Sequence, residues 1–201
     1  LTFARTYAGA ARSDEALADL EGLLDGSVVI DGLAVDTDLR WTFVTGLAAR
    51  GRADDARIDE ELALDNTISG QENAAAARAA MPTVEAKERA WKQAMLDPTT
   101  PNETARSVVL SFMRHDQDDV LAPYVDRYLD AVTSTWETLG AHKGSVALEY
   151  IFPKPLASAE LLEKVDAWLA TAEANPGAMR YVREGRAEVA RALAAQAKDA
   201  E

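Results

Sequence analysis

Apolar residues recur at spacings of three and four along most of the chain. Val120, Leu121, Tyr124, Val125, Tyr128, Leu129 and Val132 make one broad stripe of this kind. Leu161, Leu162, Val165, Trp168 and Leu169 make another, and Ile58 with Leu62 and Trp91 with Met95 repeat the spacing on a smaller scale. Sustained period-two alternation is absent. Ser27-Val28-Val29-Ile30 is the one strand-like run, and it is short and bounded by Gly26 and Gly32, so it reads as an extended connector. The pattern predicts an all-α protein.

Start and stop signals divide the stripes into helices. Thr100-Pro101-Asn102-Glu103 combines a candidate N-cap Thr, a Pro at the first helical position and a Glu three residues after the cap. Ser69-Gly70-Gln71-Glu72 reads as a second capping box, and Asn175-Pro176 repeats the cap-plus-proline logic. Ser13, Thr83 and Ser158 precede helical patterns as caps, while Gly26, Gly51 and Gly140 follow apolar stretches as stops. Helices are therefore expected to begin near residues 14, 36, 54, 70, 84, 101, 118, 143, 159 and 176. One start about every 17 residues gives a helix pair about every 34, the rhythm of helical-repeat arrays. No literal repeat accompanies it, so the copies are degenerate, as in an alpha-alpha superhelix of HEAT/ARM-like pairs. A compact multi-helix bundle is the alternative. Pro98-Thr99-Thr100-Pro101 and Pro153-Lys154-Pro155 read as turns within one array, because neither is long enough to be an interdomain linker. Residues 1–201 are thus expected to form a single helical-repeat domain.

Composition narrows the function classes. The chain has 201 residues, 48% hydrophobic and 27% charged, which are globular values, and about one residue in five is Ala, the best helix former. It has no cysteine, so neither disulfides nor thiolate chemistry is available, which suits a reducing cytoplasm. The net charge of −13 repels phosphate backbones and anionic membrane surfaces, so nucleic acid and membrane are not expected partners. No apolar run approaches the ~20 residues needed to cross a bilayer. Leu1-Thr2-Phe3-Ala4-Arg5-Thr6-Tyr7 reads as the middle of a helix, so the chain is expected to be a segment of a longer polypeptide.

Candidate chemistry is sparse. A zinc peptidase needs two His four apart on one helical face with a Glu between them. This chain has only His115 and His142, neither in such a setting. The adjacent carboxylates Asp54-Asp55, Glu60-Glu61 and Asp118-Asp119 diverge by about 100° on a helix and do not converge on a substrate. Asp14-Glu15 and Asp118-Asp119 suit helix N-termini through the macrodipole. Neither a Gly-x-Ser-x-Gly elbow nor a phosphate loop occurs. Trp41, Trp91, Trp136 and Trp168 fall on apolar faces, where packing is the default and a peptide-binding groove the alternative.

Three segments carry a family resemblance. The first is Gly22-Leu23-Leu24-Asp25-Gly26 with Asp31-Gly32-Leu33 and Asp36-Thr37-Asp38-Leu39-Arg40-Trp41. The second runs from Ile58-Asp59-Glu60-Glu61-Leu62 through Asp65-Asn66-Thr67, Ala74-Ala75-Ala76-Ala77-Arg78-Ala79-Ala80 and Pro82-Thr83 to Lys87-Glu88-Arg89-Ala90-Trp91. The third is Leu121-Ala122-Pro123-Tyr124-Val125-Asp126-Arg127-Tyr128, with Ile151-Phe152-Pro153 and Glu184-Gly185-Arg186. Together they resemble the C-terminal helical domain of bacterial, actinobacterial-type zinc aminopeptidases of the aminopeptidase N type. The resemblance implies a superhelix curving over a catalytic domain, closing its chamber and limiting which peptides enter. It implies an upstream catalytic domain and peptide substrates as partners. It places the zinc, and the residues that hold it, in the parent enzyme rather than here, so no cofactor, catalytic residue or metal ligand is expected in this chain, and alone it is expected to be inactive. A stand-alone helical-repeat scaffold that binds another protein is the rival class.

Substrate-binding candidates are arginines, whose forked donors match carboxylates. Arg40 is the first, with a local pair to Asp36 as the structural alternative. Arg180, Arg183 and Arg186 recur near the C-terminus, with ion pairs to Glu184 and Glu188 as theirs.

Overall fold

In the computed structural model, which describes residues 1–200, the apolar stripes become eleven α-helices and no strand is present among those residues. They are α1 (Thr2–Ala10), α2 (Asp14–Asp25), α3 (Thr37–Ala48), α4 (Asp55–Leu64), α5 (Ile68–Ala80), α6 (Val84–Trp91), α7 (Asn102–Phe112), α8 (Asp118–Leu121), α9 (Tyr124–Tyr150), α10 (Ala159–Thr171) and α11 (Pro176–Asp199). Residues 27–36 form the expected connector without strand pairing.

Four expected N-caps and one expected stop are present. The Ser13, Thr83 and Ser158 hydroxyls accept the amides of Ala16, Ala86 and Leu161, and Asn175 accepts that of Gly177. Gly26 ends α2 in the left-handed conformation, at φ 83°. Two expected caps are corrected. The α5 cap is Thr67, which accepts the Gly70 amide, so the helix begins at Ile68 and Ser69 lies inside it. Thr100 does not cap α7, because its hydroxyl turns back to Asp97 at 3.1 Å and Pro101 takes the cap position. In both places an aspartate competes for the hydroxyl or fixes the loop: Thr67 also donates to Asp65 at 2.8 Å.

The start expected near 143 falls within α9, whose ladder is broken at Gly140 (φ 72°, ψ 172°). Only Gly adopts that geometry without strain. A second irregularity follows α6, where Lys92–Leu96 widens into a π-helical turn. Thr135 on α9 donates to the Met95 carbonyl at 3.2 Å and satisfies one of its loosened groups.

The helices stack in order. α1, α3, α5, α7, α9 and α11 each pack against the next in the series, while α2, α4, α6 and α10 lie against members of it. Ala74, Ala77, Ala79 and Ala80 give α5 a nearly side-chain-free surface, so α3, α4 and α7 approach it closely. Two apolar cores result. One joins α1–α5 around Leu20, Leu39, Phe43, Leu47 and Ile58. The other joins α5–α11 around Trp91, Phe112, Tyr124, Tyr128, Leu148 and Phe152. All four tryptophans pack on these cores; Trp41 and Trp91 are buried, and Trp136 and Trp168 are half-buried.

Candidate functional site

The family-like segments meet one another in space. Arg40 on α3 donates from Nε to Glu61 Oε1 at 2.6 Å and from Nη2 to Oε2 at 2.8 Å, a forked pair onto α4. Its Nη1 donates to the Leu24 carbonyl at the end of α2, at 2.8 Å. The expected Arg40–Asp36 pair is therefore corrected: Asp36 is the α3 cap and accepts the Leu39 amide at 2.9 Å. The Glu61 side chain is only 1% exposed, whereas that of Glu60 is 69% exposed. This forked contact holds the Arg40 guanidinium above its ordinary pKa. One residue on, Trp41 donates its indole N–H to Asp65 at 2.8 Å. Arg40 and Trp41 thus pin α3 to the C-terminal end of α4.

The later segments behave alike. Arg127 pairs with Glu88 and lies 4.9 Å from the Trp91 ring and 4.6 Å from the Tyr124 ring, while Tyr124 donates to Glu88 at 2.8 Å. Burial and the Glu88 carboxylate push the Tyr124 phenol upward. Phe152 packs edge-on to Tyr128, ring centres 5.4 Å apart, and Gly185 on α11 lies flat against the Phe152 ring. A Cβ at 185 would stand 2.5 Å from that ring.

The carbonyl ends of α3, α5 and α7 converge on a polar node at the seam between the two cores. Fully buried Lys87 donates to the Ala79 carbonyl at 2.9 Å and the Phe112 carbonyl at 2.7 Å. Gln117 donates from one nitrogen to the Ala49 and Ala80 carbonyls, each at 2.8 Å. Arg114 donates to the Ser111 carbonyl at 3.2 Å. Asp116, held at φ 64°, accepts from Arg12 at 2.7 Å and Arg50 at 2.9 Å, and both cations pull its carboxyl below the usual range. Helix C-termini carry negative partial charge and unpaired carbonyls, so a ring of cations and an amide is what such a convergence requires. Burial first, and Arg114 second, push the Lys87 amine down to about 7. The signal for this node was weak in the sequence, because a lone Lys on a helix reads as surface.

The C-terminal arginines diverge. Arg180 lies 3.4 Å from Glu184, as the local alternative expected, and donates to the Tyr181 hydroxyl at 2.7 Å. Arg186 is corrected from Glu184 or Glu188 to Asp166 on α10, with two bonds of 2.8 and 2.7 Å. Glu188 is taken by Lys154 at 2.6 Å. Arg183 is exposed and has no ion pair among the described residues.

Two concavities stand out. One, of about 200 Å³, opens between the π-helical turn, α7 and the second half of α9, with Asp97, Glu103, Arg106, His142 and Lys143 around an apolar floor. Lys143, one of its lining residues, donates to the Pro98 and Thr100 carbonyls at 2.8 and 2.6 Å. The other, of about 750 Å³, is an apolar groove beside α1. No group of three or more His, Cys, Asp or Glu residues could hold a metal ion among the described residues. The side chains of the described residues do not fit a zinc site. No helix is long and apolar enough to cross a membrane among the described residues.

Comparison with known proteins shows the family. The chain is 42% identical over 200 residues to aminopeptidase N of Streptomyces lividans, and the match covers all of this chain but 23% of that protein, in its C-terminal part. Residues 2–191 match the family model of the ERAP1-like C-terminal domain. On these two matches, the chain belongs to the ERAP1-like C-terminal domain family.

Proposed function

We propose that this chain is the non-catalytic C-terminal domain of a zinc aminopeptidase that removes N-terminal amino acids from peptides in the cytoplasm, and that it forms a wall of the catalytic chamber and limits which peptides enter. The match of the entire chain to the C-terminal part of an aminopeptidase N carries the reading. A stack of helices pinned by forked ion pairs suits a wall, because its face holds fixed spacing while the whole moves as a body. In this reading the upstream domain of the same polypeptide supplies zinc and its ligands. Arg40 acts as a strut behind the wall, and exposed Arg183 is the C-terminal arginine best placed to meet a peptide carboxylate, with Arg180 and Arg186 held back by their own partners.

The test has two arms. The purified chain is incubated with aminoacyl p-nitroanilides and zinc, and no release is expected. Streptomyces lividans aminopeptidase N is then made with its C-terminal part deleted or replaced by this chain. Replacement is expected to restore the parent's preference between short and long peptides, which deletion alters. Hydrolysis by the isolated chain, or an unchanged length preference after deletion, overturns the proposal.

A further inference from the structure

Two irregularities of the helical ladders border the same cavity. The π-helical turn Lys92–Leu96 contributes Gln93 and Ala94 to its wall, and α9 contributes Leu139, which immediately precedes the break at Gly140. Turns of the π type recur at functional sites. The cavity is built wholly from residues 93–147, far from either end of the chain. Its floor is apolar, with Ala94, Val109, Leu139, Val146 and Ala147. Its rim carries charges of both signs. Two of them are already engaged: Asp97 accepts from the Thr99 and Thr100 hydroxyls at 2.6 and 3.1 Å, and Lys143 donates to the Pro98 and Thr100 carbonyls at 2.8 and 2.6 Å. Two others are not. The exposed Glu103 and Arg106 side chains make no hydrogen bond or ion pair among the described residues. Opposite charges three apart on a helix ordinarily meet, as Arg57 and Glu60 do at 3.2 Å.

We infer that this cavity binds a free amino acid with an apolar side chain, its carboxylate on Arg106, its ammonium on Glu103 and its side chain on the apolar floor. Residues three apart on a helix have Cβ atoms about 5–6 Å from each other. An amino acid carries both its charges on one carbon, so it bridges the two side chains where their direct pair is missing. The forked guanidinium is the donor suited to a carboxylate. A ligand with only a negative charge leaves Glu103 repelling it, and one with only a positive charge leaves Arg106 to do the same. The space of about 200 Å³ lies below the about 300 Å³ at which sites for drug-sized molecules begin, so the ligand is small. The inference rests on the proposed function in one respect. An aminopeptidase releases free amino acids, so on that reading the cavity reports the product of the enzyme to which the chain belongs.

Isothermal titration calorimetry of the 201-residue chain with free L-leucine tests it. Saturable one-to-one binding is expected, at about 1 mM or tighter. Glycine lacks the side chain, L-leucinamide the carboxylate and N-acetyl-L-leucine the ammonium, and each is expected to bind at least about tenfold more weakly than leucine. Arg106→Gln and Glu103→Gln are each expected to weaken leucine binding by about tenfold or more. Both side chains are exposed and unbonded, so the melting temperature of either variant is expected to stay within about 4 °C of the parent chain's. If a variant does not fold, the three analogues decide the matter on the unaltered chain. No saturable heat with leucine up to about 10 mM, any one of the analogues binding as tightly as leucine, or undiminished leucine binding in either folded variant overturns the inference. No readout involves hydrolysis. An unchanged length preference in the chimeric enzyme leaves a measured leucine affinity standing, and a missing leucine affinity leaves the chamber-wall proposal standing, so the two failures are separate results.

Discussion

Replacing Arg40 with Ala tests whether its role is structural. The Glu61 carboxylate is 1% exposed and receives two bonds from Arg40, while its other cation, Arg57, stands 3.7 Å away. Removing one partner of a buried pair costs about 3–5 kcal/mol, because the remaining charge is stranded. Arg40 is one-quarter exposed and Arg57 compensates in part, which places Arg40→Ala near the low end, at about 3 kcal/mol. The Leu24 carbonyl also loses its donor, so relaxation is limited on that side. In a domain of this size 1 kcal/mol moves the melting temperature by about 2–4 °C, so a fall of about 6–12 °C is expected. The double variant Arg40→Met with Glu61→Leu removes both charges and is expected to be more stable than Arg40→Ala alone. Urea unfolding and calorimetry measure each. A loss below about 1 kcal/mol for Arg40→Ala, or a double variant as unstable as the sum of its parts, refutes the strut argument.

Lys87 gives a pH-dependent prediction. A neutral amine keeps two N–H donors, enough for the two carbonyls it meets, so deprotonation loses no hydrogen bond and relieves a buried charge. The amine titrates at about 7 in the folded chain against 10.5 for an ordinary lysine, so the unfolded chain binds more protons between those values. Stability relative to Lys87→Met is therefore expected to rise with pH across that window, by on the order of a few kcal/mol; a stability difference between the two proteins that is the same at about pH 7 and pH 9.5 in urea unfolding rules it out. Gln117→Leu leaves the Ala49 and Ala80 carbonyls without their donor and is expected to lower stability by about 1–3 kcal/mol, with a negligible change in denaturant midpoint as the contrary result. Gly185→Ala forces a Cβ into the Phe152 ring, an overpacking loss of about 1–3 kcal/mol that exceeds the usual helix gain of up to about 1 kcal/mol. A higher melting temperature for that variant would show that α11 yields freely.

Helix content and most helix starts were legible in the residue pattern, because both depend on local chemistry. Caps such as Ser13, Thr83, Ser158 and Asn175 act within three residues, and the 3.6-residue period of apolar side chains needs no tertiary knowledge. Even the stop at Gly140 follows from backbone sterics, although it became a break within α9 rather than an end. The misplaced caps at Ser69 and Thr100 arose where a nearby aspartate competed for the hydroxyl or anchored a different one, a contest between nearly equal local options. The family-like residues were also visible beforehand, but their partners were not. Arg40 chose Glu61 over Asp36, and Arg186 chose Asp166 over its own helix, because cross-helix pairs form only once packing has brought two surfaces together and excluded water between them. The node of Lys87, Gln117 and Arg114 belongs to the same class. Three helix ends had to converge before their carbonyls could demand donors, and that convergence is a property of the stack, set by how closely the alanine face of α5 lets its neighbours approach.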